Sequence, residues 1–318
     1  MRILVCGSSG CVGSAVVRAL RWRGHRVVET RHSSQGDGGD VIALDFTRPT
    51  TVDDWAARLA ALDVDAVVNC AGTALPGPAS AGADRLHGDG PAALFRGADR
   101  AGVARIVNVS ALDVGGGQDG WRAKQVADDA LLRLGLDAVV VRPALVYGPG
   151  SRSADALARL ARAAIEILPR GGEALLQPIH VFEVAESIAA LVERTGAARG
   201  VYELGGAEIV SYRALLAALR VAQGAPAPLA LALPLPLPLM RFAARRPGVA
   251  ALGWTNADVL RLLHRVGIAR RNAAGVLLGR APSRLAEGLL VTPPARPAVA
   301  TPRRTGGAGW LHPSRGVL

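Results

Sequence analysis

Gly7-Ser8-Ser9-Gly10-Cys11-Val12-Gly13 follows a short apolar run and opens a stretch with helical apolar spacing. Glycines at these places have separate uses. The first permits a tight turn, and the second lets backbone N–H groups approach a pyrophosphate. The third lets a helix pack close to a sheet with its N-terminus facing the anion. The spacing is G-x-x-G-x-x-G rather than the commoner G-x-G-x-x-G. Its place between a strand and a helix at the head of the chain makes it a dinucleotide-binding signal. Gly7, Ser9, Gly10, Cys11, Val12 and Gly13 are the expected cofactor residues of this turn.

The end of the second strand decides which dinucleotide fits. An acid about 20 positions on binds the ribose 2′-OH of NAD, whereas an arginine accommodates the 2′-phosphate of NADP. Here that place is held by Arg31, followed by His32, Ser33 and Ser34. Glu29 is the nearest acid and is expected to point to the other face of the strand. The expected cofactor is therefore NADP(H), with NAD(H) as the alternative.

Such groups need a rigid frame, and the chain supplies one. Apolar runs rich in Val, Ile and Leu at 2–6, 26–30, 41–44, 66–69, 105–109 and 138–142 read as strands. Helical patterns at 12–23, 52–62, 91–101 and 121–134 alternate with them. That alternation predicts an α/β fold, a doubly wound parallel sheet (Rossmann fold) covered on both faces. Beyond 150 the pattern turns mainly helical. Ser153 is the expected cap of a helix carrying Leu157, Leu160, Ala164, Ile165 and Leu168, and Ser211 of a helix over 212–220. Thr255-x-x-Asp258 resembles a capping box. We divide the chain into a dinucleotide-binding unit over 1–220, with part of the substrate cleft from 150 on, a helical C-terminal extension over 221–291, and a disordered basic tail over 292–318.

Half of the 318 residues are hydrophobic, which excludes global disorder. The formal charge is +11, but residues 1–220 hold 24 basic and 24 acidic residues. The excess lies beyond, with 13 basic against 2 acidic. The main body thus carries no nucleic-acid footprint, and only the tail suits an anionic surface. The uncharged segment between Arg220 and Arg241 is long enough to cross a bilayer. Its prolines at 226, 228, 234, 236 and 238 argue instead for extended chain and against a transmembrane span. Three cysteines, Cys6, Cys11 and Cys70, make no disulfide framework or zinc site, and a cytoplasmic location is expected. Beside the turn they suggest at most a redox-sensing role, and inert buried thiols are the plainer reading.

Several further motifs stand in a fixed order: Asp45-Phe46, Asn69-Cys70-Ala71-Gly72, Val107-Asn108-Val109-Ser110-Ala111, Arg142-Pro143-Ala144-Leu145-Val146-Tyr147-Gly148-Pro149-Gly150 and Gln177-Pro178-Ile179-His180-Val181. With the glycine turn they resemble the short-chain dehydrogenase/reductase superfamily, in its extended and atypical, epimerase-like branches. The nearest likeness is to atypical members related to the Rossmann-type accessory subunit of respiratory complex I. Some bacterial relatives of that kind continue into a small membrane domain. Leu278-Gly279-Arg280-Ala281-Pro282 looks like the end of their soluble part, with no four-helix membrane domain expected after it. The resemblance implies that Asp45 and Phe46 border the adenine and that Cys70, Ala71, Gly72 and Pro143 line the cofactor cleft.

The family's chemistry uses a serine and a Tyr-x-x-x-Lys pair on one helical face, in which the lysine binds the nicotinamide ribose and the phenol exchanges a proton with the substrate. This chain keeps Ser110 and Lys124, but four positions before the lysine stands Gly120. Lys124 is the chain's only lysine, beside 36 arginines, which suggests a use for a compact ammonium there. Tyr147 joins Lys124 and Ser110 as a candidate catalytic residue. Asp113, Asp119 and His180 are weaker substitutes, since a solvated loop or a packed core explains each. Two readings follow. One is an NADP(H)-dependent reductase or nucleotide-sugar epimerase-like enzyme acting on an unidentified small molecule. The other is a non-catalytic NADP(H) sensor or scaffold for a protein partner.

Overall fold

Arg2–Cys6 (β1) alternates its side chains between the two faces of a sheet, and both faces are covered. Ile3 and Val5 belong to one apolar core, and Leu4 and Cys6 to another. A strand buried on both sides must be a continuous apolar run, as this one is. In the computed structural model the residues described are 1–31, 40–72, 84–112, 114, 119–163, 165–194, 199–227, 229–231 and 267–290.

After β1 come α1 (Cys11–Trp22), β2 (Arg26–Arg31), β3 (Val41–Ala43), α2 (Val52–Leu62) and β4 (Ala66–Asn69). A π-helical turn (Arg85–Asp89) leads into α3 (Gly90–Arg100), followed by β5 (Arg105–Val109), α4 (Asp119–Leu132) and β6 (Asp137–Pro143). The second part holds β7 (Val146–Tyr147), α5 (Arg152–Ala161), β8 (Ile165–Ile167), a 3-10 turn (Pro169–Gly172), β9 (Leu175–Leu176) and β10 (Ile179–His180). It continues with α6 (Val181–Glu193), β11 (Gly200–Leu204), β12 (Val210–Ser211), α7 (Tyr212–Ala222), β13 (Leu229–Leu231), α8 (Ala274–Leu278) and α9 (Leu285–Leu290).

Seven strands form one sheet in the order β11-β6-β5-β4-β1-β2-β3, with every pairing parallel. The expected doubly wound architecture is therefore present. α1, α6 and α8 cover one face, and α2, α3 and α4 the other. The strand order reverses between β1 and β4, so a crevice opens at their carboxyl ends, the usual ligand site of such sheets. Local signals agree where they are strong. Thr51 and Asp54 form a reciprocal capping box on α2, and Ser211 caps α7 through the Ala214 N–H.

Two expectations need correction. The helix after 150 is capped by Ser151, not Ser153: Ser151 Oγ accepts from the Ala154 N–H and donates to the Val146 carbonyl, an anchor open only to the residue just after the Gly148–Gly150 turn. That helix stops at Ala161, and Ile165 belongs to a strand, because β8 pairs in parallel with β13 from far along the chain. The described residues of the extension over 221–291 hold the end of α7, β13, α8 and α9. The capping box at Thr255 and the tail over 292–318 lie outside the described residues. Among the described residues no helix is long and apolar enough to cross a membrane.

Candidate functional site

Gly7 sits at φ 72° directly after β1. A Cβ there would stand 2.7 Å from the backbone of Ala71, so the turn after β1 and the turn after β4 touch main chain to main chain. A Cβ on Gly13 would stand 2.1 Å from the Gly7 carbonyl oxygen. Gly10, the N-cap of α1, closes the turn by donating to the same carbonyl at 3.0 Å. Its side is roomier, since a Cβ would meet that oxygen only at 3.3 Å. The result is a bare-backbone cradle with the first turn of a helix above it, suited to a diphosphate. β2 braces it: the Gly7 N–H donates to Thr30 Oγ1 at 2.9 Å, and Ser8 Oγ donates to the Thr30 carbonyl at 2.8 Å. Ser9 is exposed, and Val12 packs partly against the core.

Arg31 ends β2 exposed beside this cradle. Glu29 is not on the opposite face, because side chains two apart on a strand share a face. It is held at 2.8 Å by Arg21 of α1. Asp45 turns back to accept from the backbone and hydroxyl of Thr47. Phe46 is core, its ring 6.0 Å from that of Trp55. Pro143 closes β6 against Leu204 of β11.

The carboxyl ends of β4 and β5 carry the polar half of the site. Asn69 Nδ2 donates to Asn108 Oδ1 at 2.9 Å, and Asn108 Nδ2 donates to Asp128 Oδ1 at 2.9 Å. Ser110 Oγ donates to Asp128 Oδ2 at 2.8 Å, and Arg142 adds its Nη2 at 2.9 Å and Nε at 3.3 Å. Asp128 is fully buried and stands one helical turn after Lys124 on α4. Burial raises its carboxyl pKa, against the pull of Ser110, Arg142 and Lys124. Burial lowers the pKa of Lys124, against the charge of Asp128.

Lys124 Nζ and the ring of His87 meet at Gly72. A Cβ on Gly72, at φ 142°, would lie 3.4 Å from Nζ and 3.1 Å from two ring atoms of His87. His87 comes from the π-helical turn, a distortion often found at functional sites. Burial, with the Lys124 charge adding to it, holds its imidazole at about 3, hence neutral at ordinary pH.

The structure therefore brings Lys124 and Ser110 together around Asp128 but gives Tyr147 other company. Its ring stacks edge-on against His180 at 5.2 Å, and a Cβ on Gly288 of α9 would lie 2.0 Å from its hydroxyl. Burial, and the charges of Glu183, Glu208 and Glu287, push its phenol up, so it is a poor proton donor. His180 caps α6, accepting from the Phe182 N–H on Nδ1. Asp113 and the side chain of Asp119 lie outside the described residues. The thiols are unreactive by environment. Burial raises Cys6 most, Cys70 to about 12 and Cys11 to about 11, which removes the ground for redox sensing. Sequence reasoning missed the roles of Asp128 and His87. The four-residue spacing from Lys124 could have found Asp128; nothing local signals His87. No cluster fit for a metal ion occurs among the described residues.

Residues 3–205 match the model of the NAD-dependent epimerase/dehydratase family. The chain is 27% identical over 219 residues to the mitochondrial NADH dehydrogenase (ubiquinone) 1 alpha subcomplex subunit 9 of Arabidopsis thaliana, covering 64% of this chain and 54% of that protein. It thus spans about half the length of that relative. It is 29% identical over 234 residues to a 3-diazoavenalumate denitrifying reductase of a Streptomyces species, covering 61% of this chain and 72% of the reductase. Among solved structures, MoeE5 in complex with UDP-glucose and NAD superposes with a TM-score of 0.65 at 22% identity, over 91% of this chain and 96% of that one. That likeness concerns the fold.

Proposed function

The chain belongs to the NAD-dependent epimerase/dehydratase family, and from that premise we propose that it is an NADP(H)-preferring oxidoreductase acting on a carbonyl or hydroxyl of a small molecule. The observation that carries this reading is the cradle at Gly7 and Gly13, which added Cβ atoms would fill, with the Lys124 ammonium on the same crevice. Those features fit a dinucleotide: bare N–H groups for the diphosphate and an amine for a ribose. When bound, the nicotinamide would supply or accept a hydride. Gly7, Ser9, Gly10, Cys11, Val12 and Gly13 would hold the diphosphate, Arg31 a 2′-phosphate, and Asp45 and Phe46 the adenine side. Cys70, Ala71, Gly72 and Pro143 would wall the cleft. Ser110 donates its O–H hydrogen bond to Asp128, so its oxygen is left to accept from a substrate hydroxyl. Nucleotide-sugar chemistry of the epimerase kind lies within the same proposal, and the three free thiols accord with a cytoplasmic setting.

Fluorescence titration with NADPH and NADH tests it. NADPH is expected to bind roughly tenfold more tightly than NADH, one bidentate charge contact being worth about 1.5–3 kcal/mol at most. Arg31→Ala should erase the difference and Lys124→Ala weaken both. Failure to bind either nucleotide would overturn the reading. Gly120 favours a second reading, a protein that senses NADP(H) or assembles with a partner without catalysis. Tight binding with no turnover over a broad carbonyl panel would favour that second reading.

A further inference from the structure

Without a phenol on α4, some other group must exchange the proton, and the buried polar cluster narrows the choice. Ser110 directs its O–H to Asp128, and Arg142, permanently charged, directs two N–H groups there. Asn69 and Asn108 are occupied with each other and with Asp128. Tyr147 lies under α9 with its hydroxyl against Gly288. His87 is neutral, with little affinity for a second proton. Lys124 differs from all of these. Its residue is only 9% exposed, and among the described residues it makes no hydrogen bond or ion pair. Its Nζ stands at the Gly72 backbone on the cofactor crevice.

From this geometry we propose that the ε-amine of Lys124 is itself the acid and base of the reaction, a role that rests on the oxidoreductase reading above. In the reducing direction the carbonyl carbon would gain the hydride that a bound nicotinamide would supply, and the C=O π pair would move onto oxygen. The oxygen takes a proton from the ammonium, so one N–H bond breaks as the O–H bond forms. The neutral amine then regains a proton from water. Oxidation runs the same steps backwards. A buried lysine suits this work because desolvation favours its neutral form. The groups facing it set the balance: Asp128 on its own helix favours the charge, His87 from the π-helical turn adds no charge at neutral pH, and Arg142 of β6 lies behind Asp128.

The composition makes the test clean, because a chain with one lysine labelled at Cε gives one side-chain resonance. Titrated by NMR as the full chain, free and with NADPH, Lys124 should show a midpoint below that of an ordinary lysine, because burial disfavours its charge. A Lys124→Arg variant keeps the charge and not the transferable proton. With NADPH kept saturating for each chain, it should reduce 9,10-phenanthrenequinone and a carbonyl panel at least about 100-fold more slowly. An ordinary lysine midpoint, an undiminished rate in Lys124→Arg, or NADPH binding by a native chain that reduces no compound would each overturn the proposal. Absence of NADPH binding by the native chain would instead fell the oxidoreductase reading, and the role of Lys124 with it.

Discussion

The two halves of the crevice are built on opposite principles. At the cradle, specificity comes from missing side chains: Gly7 and Gly13 let backbone meet backbone at distances where no Cβ fits. At the carboxyl ends of β4 and β5 it comes from a surplus of polar side chains, five of which hydrogen-bond one another around Asp128. The first half holds by shape and has little to titrate. The second holds by charge and hydrogen bonding in a dry interior, where each member depends on the others. A substitution should therefore act through sterics in one half and through unsatisfied polarity in the other.

The largest effect is expected in the polar half. Asp128→Ala would leave Asn108, Ser110 and Arg142 without their common acceptor, and breaking a buried pair costs about 3–5 kcal/mol. Urea denaturation should show it directly; a loss below about 1 kcal/mol would mean that water replaces the carboxylate and that the contrast is false. Second comes Gly13→Ala. Alanine inside a helix gains up to about 1 kcal/mol over glycine, but a Cβ 2.1 Å from a backbone oxygen forces the turn to move. Overpacking of this kind costs up to about 3 kcal/mol, so the clash wins. NADPH affinity should fall with stability. Gly10→Ala, whose Cβ would lie at 3.3 Å, serves as the milder change and should cost less stability than Gly13→Ala.

The same contrast explains what could be read from sequence. Steric requirements leave fixed residues at fixed spacing, so Gly7, Gly10 and Gly13 announced the cradle, and alternating Val and Ile runs announced the sheet. Asp128 was half legible, being one turn from Lys124 on the same helix. The place of Tyr147 was not, because its surroundings depend on Gly288, which only folding brings there. Ile165 misled for a related reason. Its apolar neighbours have helical spacing, and what makes it a strand is a distant partner, β13. Ser153 failed by two residues because Ser151 alone had both a helix N–H and the Val146 carbonyl within reach.

His87 gives the smallest of these effects and the most selective, since it tests only the charged side of the contrast. Its imidazole is held at about 3 in the folded chain by burial and by Lys124, against about 6.5 when unfolded. Between those two values the unfolded chain binds the proton and the folded chain does not. Stability is therefore unaffected by this group above about pH 6.5 and is lost as pH falls toward 3. A full proton's difference is worth about 1.4 kcal/mol for each pH unit. Other groups titrate in the same range, so the informative quantity is the difference between native and His87→Gln in thermal or urea unfolding from pH 7 to 4. Glutamine keeps a polar side chain there without a site that titrates. The native curve should fall more steeply than that of the variant, by about 1 kcal/mol per unit between pH 6 and 4. Parallel curves would mean that the imidazole takes up its proton in the folded state. Lys124 would then face a second cation across Gly72, and the polar half would have to hold two neighbouring positive charges instead of one.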